Sequence, residues 1–222
     1  MNQVASLLRQ GVASMGLVLP AGAMDQLTGY LDLLVKWNRV YNLTAIREEA
    51  RLVSHHVLDS LAVVSHLPEG NIADVGSGAG LPGIPIAISN PGRAVTLIDA
   101  NHKKGAFLKQ AIAELGLGTV QVVTERVEVY RPSEPFKTVI SRAFSDLADF
   151  ARLAGHLCAA DGVMIAMKGL HPDDEIAQLP PSWKVKKTLR LEIPQLDASR
   201  HLVFIHSLSP TALNGPACHV CS

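Results

Sequence analysis

Hydrophobic positions in the first third of the chain recur at helical spacing. Val4, Leu7, Leu8, Val12 and Met15 mark one face of a first helix. Gly16 and Pro20 break it, and Met24, Leu27, Leu31 and Leu34 mark a second helix that fades near Trp37 and Asn38. A polar and aromatic connection from Lys36 to Arg47 leads to a third apolar face: Leu52, Val53, Val57, Leu61 and Val64. From residue 71 the period changes. Apolar runs at 72–76, 94–99, 119–124, 136–141 and 162–167 read as buried parallel strands. Helices fall between them at about 82–89, 102–115 and 146–158, with a short turn near 127–130. Two further strands, near 183–193 and 201–208, are joined by the short link Pro194 to Ser199 and so pair antiparallel. The pattern predicts an α/β fold with a seven-stranded, mostly parallel sheet and an antiparallel final pair. Residues 1–66 form an N-terminal helical cap, 67–210 the α/β domain, and 211–222 a disordered tail.

Composition narrows this picture only a little. The 222 residues are 48% hydrophobic, enough for one sizeable core without disulfides or structural metal. Cys158, Cys218 and Cys221 are sparse and odd in number, which fits a reducing, cytoplasmic compartment. No apolar run reaches membrane-spanning length. A net charge of +0 excludes general polyanion coating but leaves room for local basic patches. No His, Cys or acid cluster has metal-ligand spacing, and the Cys218-His219-Val220-Cys221 element stands alone, so no metal is expected.

The chemistry centres on Asp74-Val75-Gly76-Ser77-Gly78-Ala79-Gly80-Leu81-Pro82-Gly83, where a strand meets a glycine-rich turn. Gly78, Gly80 and Gly83 satisfy the dinucleotide pattern G-x-G-x-x-G. Asp74 with Gly76, Gly78 and Gly80 satisfies the D-x-G-x-G-x-G pattern of S-adenosylmethionine (AdoMet) methyltransferases. A pyrophosphate at the helix N-terminus would be repelled by a carboxylate at Asp74, whereas the ammonium and sulfonium of AdoMet would be attracted. The reading is therefore a Rossmann-like AdoMet methyltransferase fold, with NAD binding and a ligand-free turn as rivals. Asp99 ends the second strand 23 positions after Gly76, the place of an acid that holds ribose hydroxyls. Arg126-Val127-Glu128 follows the third strand. Val127 and Glu128 border an adenine there, or the segment is a surface turn with an ion pair. Arg142 ends the fourth strand and Lys168 the fifth, both at the crevice edge where ligands sit in open α/β sheets. Arg142 faces a cofactor carboxylate, an RNA phosphate, or a salt-bridge partner within the cleft.

Absences limit the reaction. No cysteine lies at a strand end near the loop, and Cys158 reads as helix core, so a cysteine adduct on a pyrimidine ring is excluded. Ser141-Arg142-Ala143 stands where exocyclic adenine methylases carry an acid- or Asn-Pro-Pro-aromatic element. A target that is already nucleophilic remains, such as guanine N7, with catalysis by alignment. His56 and Asp59, at i and i+3, are placed to touch. Basic residues gather at Lys36, Arg39, Arg47 and Arg51; at His102, Lys103, Lys104 and Lys109; and at Lys184, Lys186, Lys187 and Arg190. Trp37 and Tyr41, within the first group, either stack unpaired bases or pack into the core.

Several stretches together resemble one family. They are Lys36-Trp37-Asn38 with Tyr41-Asn42-Leu43-Thr44, His56 with Asp59-Ser60, the Asp74 to Pro85 loop, Ile140-Ser141-Arg142-Ala143, Lys168-Gly169 and Arg200-His201-Leu202-Val203. From about residue 4 to residue 207 the chain is similar to the RsmG, or GidB (glucose-inhibited division protein B), family of bacterial rRNA methyltransferases. The resemblance implies AdoMet as cofactor and 16S rRNA or the small ribosomal subunit as partner. It implies N7 methylation of one guanosine in the decoding-region loop. No DNA or membrane partner is expected, and the oligomeric state is open, with a monomer as the first expectation. The resemblance assigns cofactor contacts to Gly76, Leu81, Val127, Glu128 and Arg142, beside Asp74, Gly78 and Asp99 read above. It gives RNA or active-site roles to Asn42, His56, Arg126 and Lys168, with Arg142 among the catalytic residues. His55 replaces the arginine usual before the family's histidine. A small-molecule or protein methyltransferase and a non-catalytic AdoMet-binding regulator are the rivals from the residues alone.

Overall fold

The computed structural model describes residues 2–208, so the expected tail at 211–222 with its Cys-x-x-Cys element lies outside the described residues. Strands β1 (Ile72–Val75), β2 (Val95–Ile98), β3 (Val120–Val123), β4 (Phe136–Ser141), β5 (Cys158–Lys168), β6 (Trp183–Leu191) and β7 (Arg200–Ser207) form one sheet. Its order is β3-β2-β1-β4-β5-β7-β6. β1 to β5 run parallel, and β7 pairs antiparallel with both β5 and β6. The order reverses between β1 and β4, which opens a crevice at their C-terminal ends.

Helices α1 (Asn2–Ser14), α2 (Ala23–Tyr41), α3 (Glu49–Leu52) and α4 (Asp59–Leu61) precede the sheet. Later come α5 (Gly83–Ser89), α6 (His102–Leu115), α7 (Leu147–Ala154) and α8 (Asp173–Ala177). The N-terminal helices share their core with the sheet: Leu8, Leu27, Leu34 and Leu58 lie in one buried cluster with Ile72, Leu97, Ile140 and Phe107. Ala73 and Val75 face the opposite cluster with Phe150 and Met164, as strand alternation requires. The sequence signals around α6 hold in detail. Asn101 Oδ1 accepts the N–H groups of Lys103 and Lys104, and Gly116 closes the helix at φ 65°.

Three expectations are corrected. The second helix runs on to Tyr41 and stops where Asn42 turns left-handed at φ 48°. Its apolar period fades early because Arg39, Val40 and Tyr41 are exposed. The third helix is interrupted by a π-helical segment, Val53–Leu58. Carbonyls of that wide turn take side-chain donors: Ser60 Oγ donates to His56 O at 2.6 Å and Arg142 Nη1 to His55 O at 3.1 Å. Cys158 is not helix core. The helix predicted to 158 ends at Ala154 and passes through a 3-10 turn, Gly155–Leu157. Cys158 then opens β5 at the end of the strands opposite the crevice, where burial raises its thiol to about 12.

Candidate active site

β1 delivers Val75 and Gly76 to the crevice, and β4 delivers Ser141, Arg142 and Ala143 beside them. Gly76 holds φ 69°, and a Cβ there would sit 2.5 Å from the Ala143 Cβ, so only glycine lets the two loops close together. The loop's N–H groups are directed inward. Those of Gly76 and Ser77 reach Ile98 O, that of Gly78 reaches Asp99 Oδ2, and those of Gly80 and Leu81 reach Ser77 O. A pyrophosphate cradle needs such donors free for the ligand. Here five of the six from Gly76 to Leu81 are engaged, which suits a cofactor without phosphate.

Asp74 does not take the place expected of it. It is fully buried beneath the loop, and Oδ2 accepts the Gly83 N–H at 2.9 Å at the start of α5. Desolvation raises its carboxyl to about 7, opposed mainly by that hydrogen bond. The electrostatic case against a pyrophosphate therefore passes from Asp74 to the engaged N–H groups.

Around the loop lie three cavities that share walls. The first, about 330 Å³, runs along the ends of β1, β2 and β3. Its lining includes Gly76, Ile98, Asp99, Arg126, Val127, Glu128, Ala143 and Phe144. Asp99 lines it while Oδ1 accepts the Asn101 N–H at 2.9 Å, and Lys104 Nζ lies 3.5 Å from Oδ2. Apolar Ile98, Val127 and Phe144 beside the Asp99 carboxylate are the chemistry a nucleoside needs. Arg126 and Glu128 form an exposed ion pair at 2.7 Å. The second cavity, about 160 Å³, lies over the glycine loop and is lined by Gly76, Gly78, Ala79 and Leu81 together with Thr44, His56 and Arg142. The third, about 350 Å³, takes His55, His56, Asp59, Arg142, Lys168 and Arg200. His56 and Arg142 thus separate the cofactor loop from the third cavity.

The side chains between the cavities are heavily bonded. Asp59, 2% exposed, receives Arg142 Nη1 at 3.0 Å and Arg200 Nε at 3.1 Å. The expected contact of Asp59 with His56 is replaced by this double arginine bridge. His56 donates from Nδ1 to His55 O at 3.0 Å and accepts the Thr44 hydroxyl at Nε2, 2.7 Å away. Burial, then the Arg142 charge, lowers its pKa to about 4. Lys168 donates to Phe144 O, Ser145 O and Glu175 Oε2 at 3.1, 2.8 and 2.6 Å, so all three protons are engaged. Lys168 therefore tethers the Phe144 wall and has no donor left for a substrate. Asn42 stands apart on the surface, where its Oδ1 accepts from Arg47. Trp37 packs edge-on against Phe107 at 5.6 Å, while exposed Tyr41 lies against Trp37 at 5.1 Å. Thr44, Asp59, Arg200 and Phe144 join the site without having been singled out for roles in it.

The neutral His56 predicts a pH effect. Its pKa in the folded chain lies below the ordinary 6.5, so the unfolded chain takes up the proton first as pH falls. This contribution to stability is complete above about 6.5 and is lost as pH falls toward 4. Asp74 acts in the opposite sense, its raised pKa lowering stability as pH rises from about 4 toward 7. Melting the native chain and His56→Gln at pH 7.5 and pH 5 isolates His56. The acid-side loss is expected to shrink in the variant, and equal losses would contradict the neutral, doubly bonded imidazole.

The fold and the crevice place the chain among the Rossmann-like methyltransferases. The O-methyltransferase TomG of Streptomyces achromogenes, involved in tomaymycin synthesis and solved in complex with SAM, superposes with a TM-score of 0.59. It is 15% identical, and the match covers 90% of this chain and 96% of that one. Residues 23–203 match the model of the GidB family, rRNA small subunit methyltransferase G, and the chain belongs to that family. It is 55% identical to the ribosomal RNA small subunit methyltransferase G of Laribacter hongkongensis over 88% of this chain and 95% of that one. The corresponding protein of Chromobacterium violaceum is 54% identical over 88% and 94%. The chain is thus an AdoMet-dependent rRNA methyltransferase. No described helix is long and apolar enough to cross a membrane.

Proposed function

We propose that the chain methylates N7 of a single guanosine in the decoding-region loop of 16S rRNA, by direct in-line transfer without a covalent intermediate. The observation that carries the reading is that, among the described residues, the acid, the histidine and the lysine around the wall between the second and third cavities are all engaged. Asp59 is bridged by two arginines, both His56 nitrogens are bonded, and Lys168 is fully engaged. Guanine N7 has a free lone pair and no proton to lose, so it needs none of them. Alignment supplies the rate enhancement.

In this reading AdoMet supplies an electrophilic methyl on its sulfonium. Asp99 holds the ribose hydroxyls, Val127, Glu128 and Phe144 enclose the adenine, and Gly76, Gly78 and Leu81 line the path of the methionine. Arg142 stands between that path and the third cavity, which receives the guanosine. His56 fixes the wall there, and Arg126 and Asn42 meet RNA outside the cleft. Asp74 and Lys168 act through the loops they hold. Exposed Lys36, Arg39, Tyr41 and Arg51 supply phosphate and base contacts near the mouth.

Two tests address separate parts. Asp99→Ala is expected to weaken AdoMet binding by about 1.5–3 kcal/mol, read by calorimetry, and unchanged affinity would remove Asp99 from the site. Small subunits rebuilt on 16S rRNA with 7-deazaguanosine in place of guanosine should accept no methyl group. Methylation of that RNA at the normal level would exclude N7.

A further inference from the structure

Tyr30 sits on a face of α2 otherwise built from Leu27, Leu31 and Leu34, and it is fully buried. Its hydroxyl donates to the carbonyl of Ala79 at 2.7 Å, across 49 positions of sequence. Ala79 lies between Gly78 and Gly80, one residue beyond the last loop N–H tied to the end of β2. The N–H groups of Gly76, Ser77 and Gly78 are tied to β2 and Asp99. The Ala79 carbonyl is tied instead to the helical cap. The Tyr30 ring rests against Phe107 of α6, with centroids 6.5 Å apart, so the hydroxyl is held in place from behind. A phenylalanine would fill the same space without burying a hydroxyl, which is unfavourable unless bonded. Burial also holds the phenol protonated, so it stays a donor at every working pH.

We propose that Tyr30 is a positioning residue for the cofactor: through one hydroxyl the helical cap fixes Ala79, and with it the loop that lines the methionine end of the AdoMet site. The cap is then part of the cofactor-binding machinery as well as a neighbour of the RNA face. This rests on the AdoMet assignment above.

The test compares Tyr30→Phe with Gln26→Ala. Gln26 also ties α2 to the body, its Nε2 donating to Leu115 O at 2.8 Å, away from the loop. Tyr30→Phe keeps the ring packing and leaves a buried carbonyl unpaired. It is expected to raise both the AdoMet Kd and the AdoMet KM about tenfold, with kcat at saturating AdoMet and the KM for small subunits unchanged. Gln26→Ala is expected to lower the melting temperature and leave AdoMet binding as it was. Unchanged AdoMet affinity in Tyr30→Phe would overturn the proposal, and so would equal weakening in Gln26→Ala, which would mark general loosening. Failure of the unmodified protein to bind AdoMet would remove the cofactor assignment, and the proposal with it.

Discussion

Asp59→Ala is expected to lower stability by about 3–5 kcal/mol and to abolish methyl transfer. The Asp59 carboxylate is 2% exposed and neutralises two guanidinium groups, at 3.0 Å from Arg142 and 3.1 Å from Arg200. Removing it leaves two cations facing one another, and arginine cannot relieve the repulsion by losing a proton. Both arginine side chains are about a quarter exposed, at 26% and 22%, so water screens part of the repulsion and the lower end of the range applies. Activity falls further than stability alone requires, because Arg142 loses the partner that fixes it beside the cofactor loop. Urea unfolding and a methylation assay below the new melting point check the two effects separately. An unchanged unfolding midpoint would mean that the bridge contributes nothing.

Gly76→Val is expected to reduce AdoMet affinity by a hundredfold or more while the sheet stays folded. Two costs combine. The left-handed backbone at φ 69° disfavours any side chain by about 1–2 kcal/mol, and a β-branched one most of all. The new Cβ would also lie 2.5 Å from the Ala143 Cβ, so the Ala143–Phe144 segment must move, and that segment walls the first cavity. Gly92→Ala is the control, since its Cβ would meet nothing within 4 Å. Circular dichroism and calorimetry on both variants decide it. Normal AdoMet binding by Gly76→Val would place the cofactor elsewhere.

The parts of the fold legible in sequence were those set by one-dimensional patterns. Apolar runs located the strands of the parallel sheet, the short Pro194–Ser199 link marked the antiparallel pair, and Asn101 and Gly116 bounded α6. The position of the glycine loop after β1 and of Asp99 after β2 was legible in the same way, because turn chemistry is local. What escaped depends on contacts between distant residues. Nothing near Asp59 in the chain announces Arg200, 141 positions away. The π segment at Val53–Leu58 looks helical in its apolar period, yet it turns Asp59 toward the arginines and away from His56. Asp74 and Lys168 have the residue types of binding groups, but Lys168 spends its three protons on neighbouring segments and buried Asp74 spends Oδ2 on Gly83. A signal for Tyr30 existed: a lone phenol on a leucine face needs a partner for its hydroxyl.

The proposed reaction is transfer of a methyl group from AdoMet to one guanine N7 of small-subunit rRNA. The most direct measurement incubates the protein with methyl-labelled AdoMet and small subunits lacking the modification, then maps the label by nuclease digestion and mass spectrometry. One labelled nucleotide, 7-methylguanosine in the decoding-region loop, is expected. Label on a pyrimidine carbon, on an exocyclic amine or on ribosomal protein would contradict it.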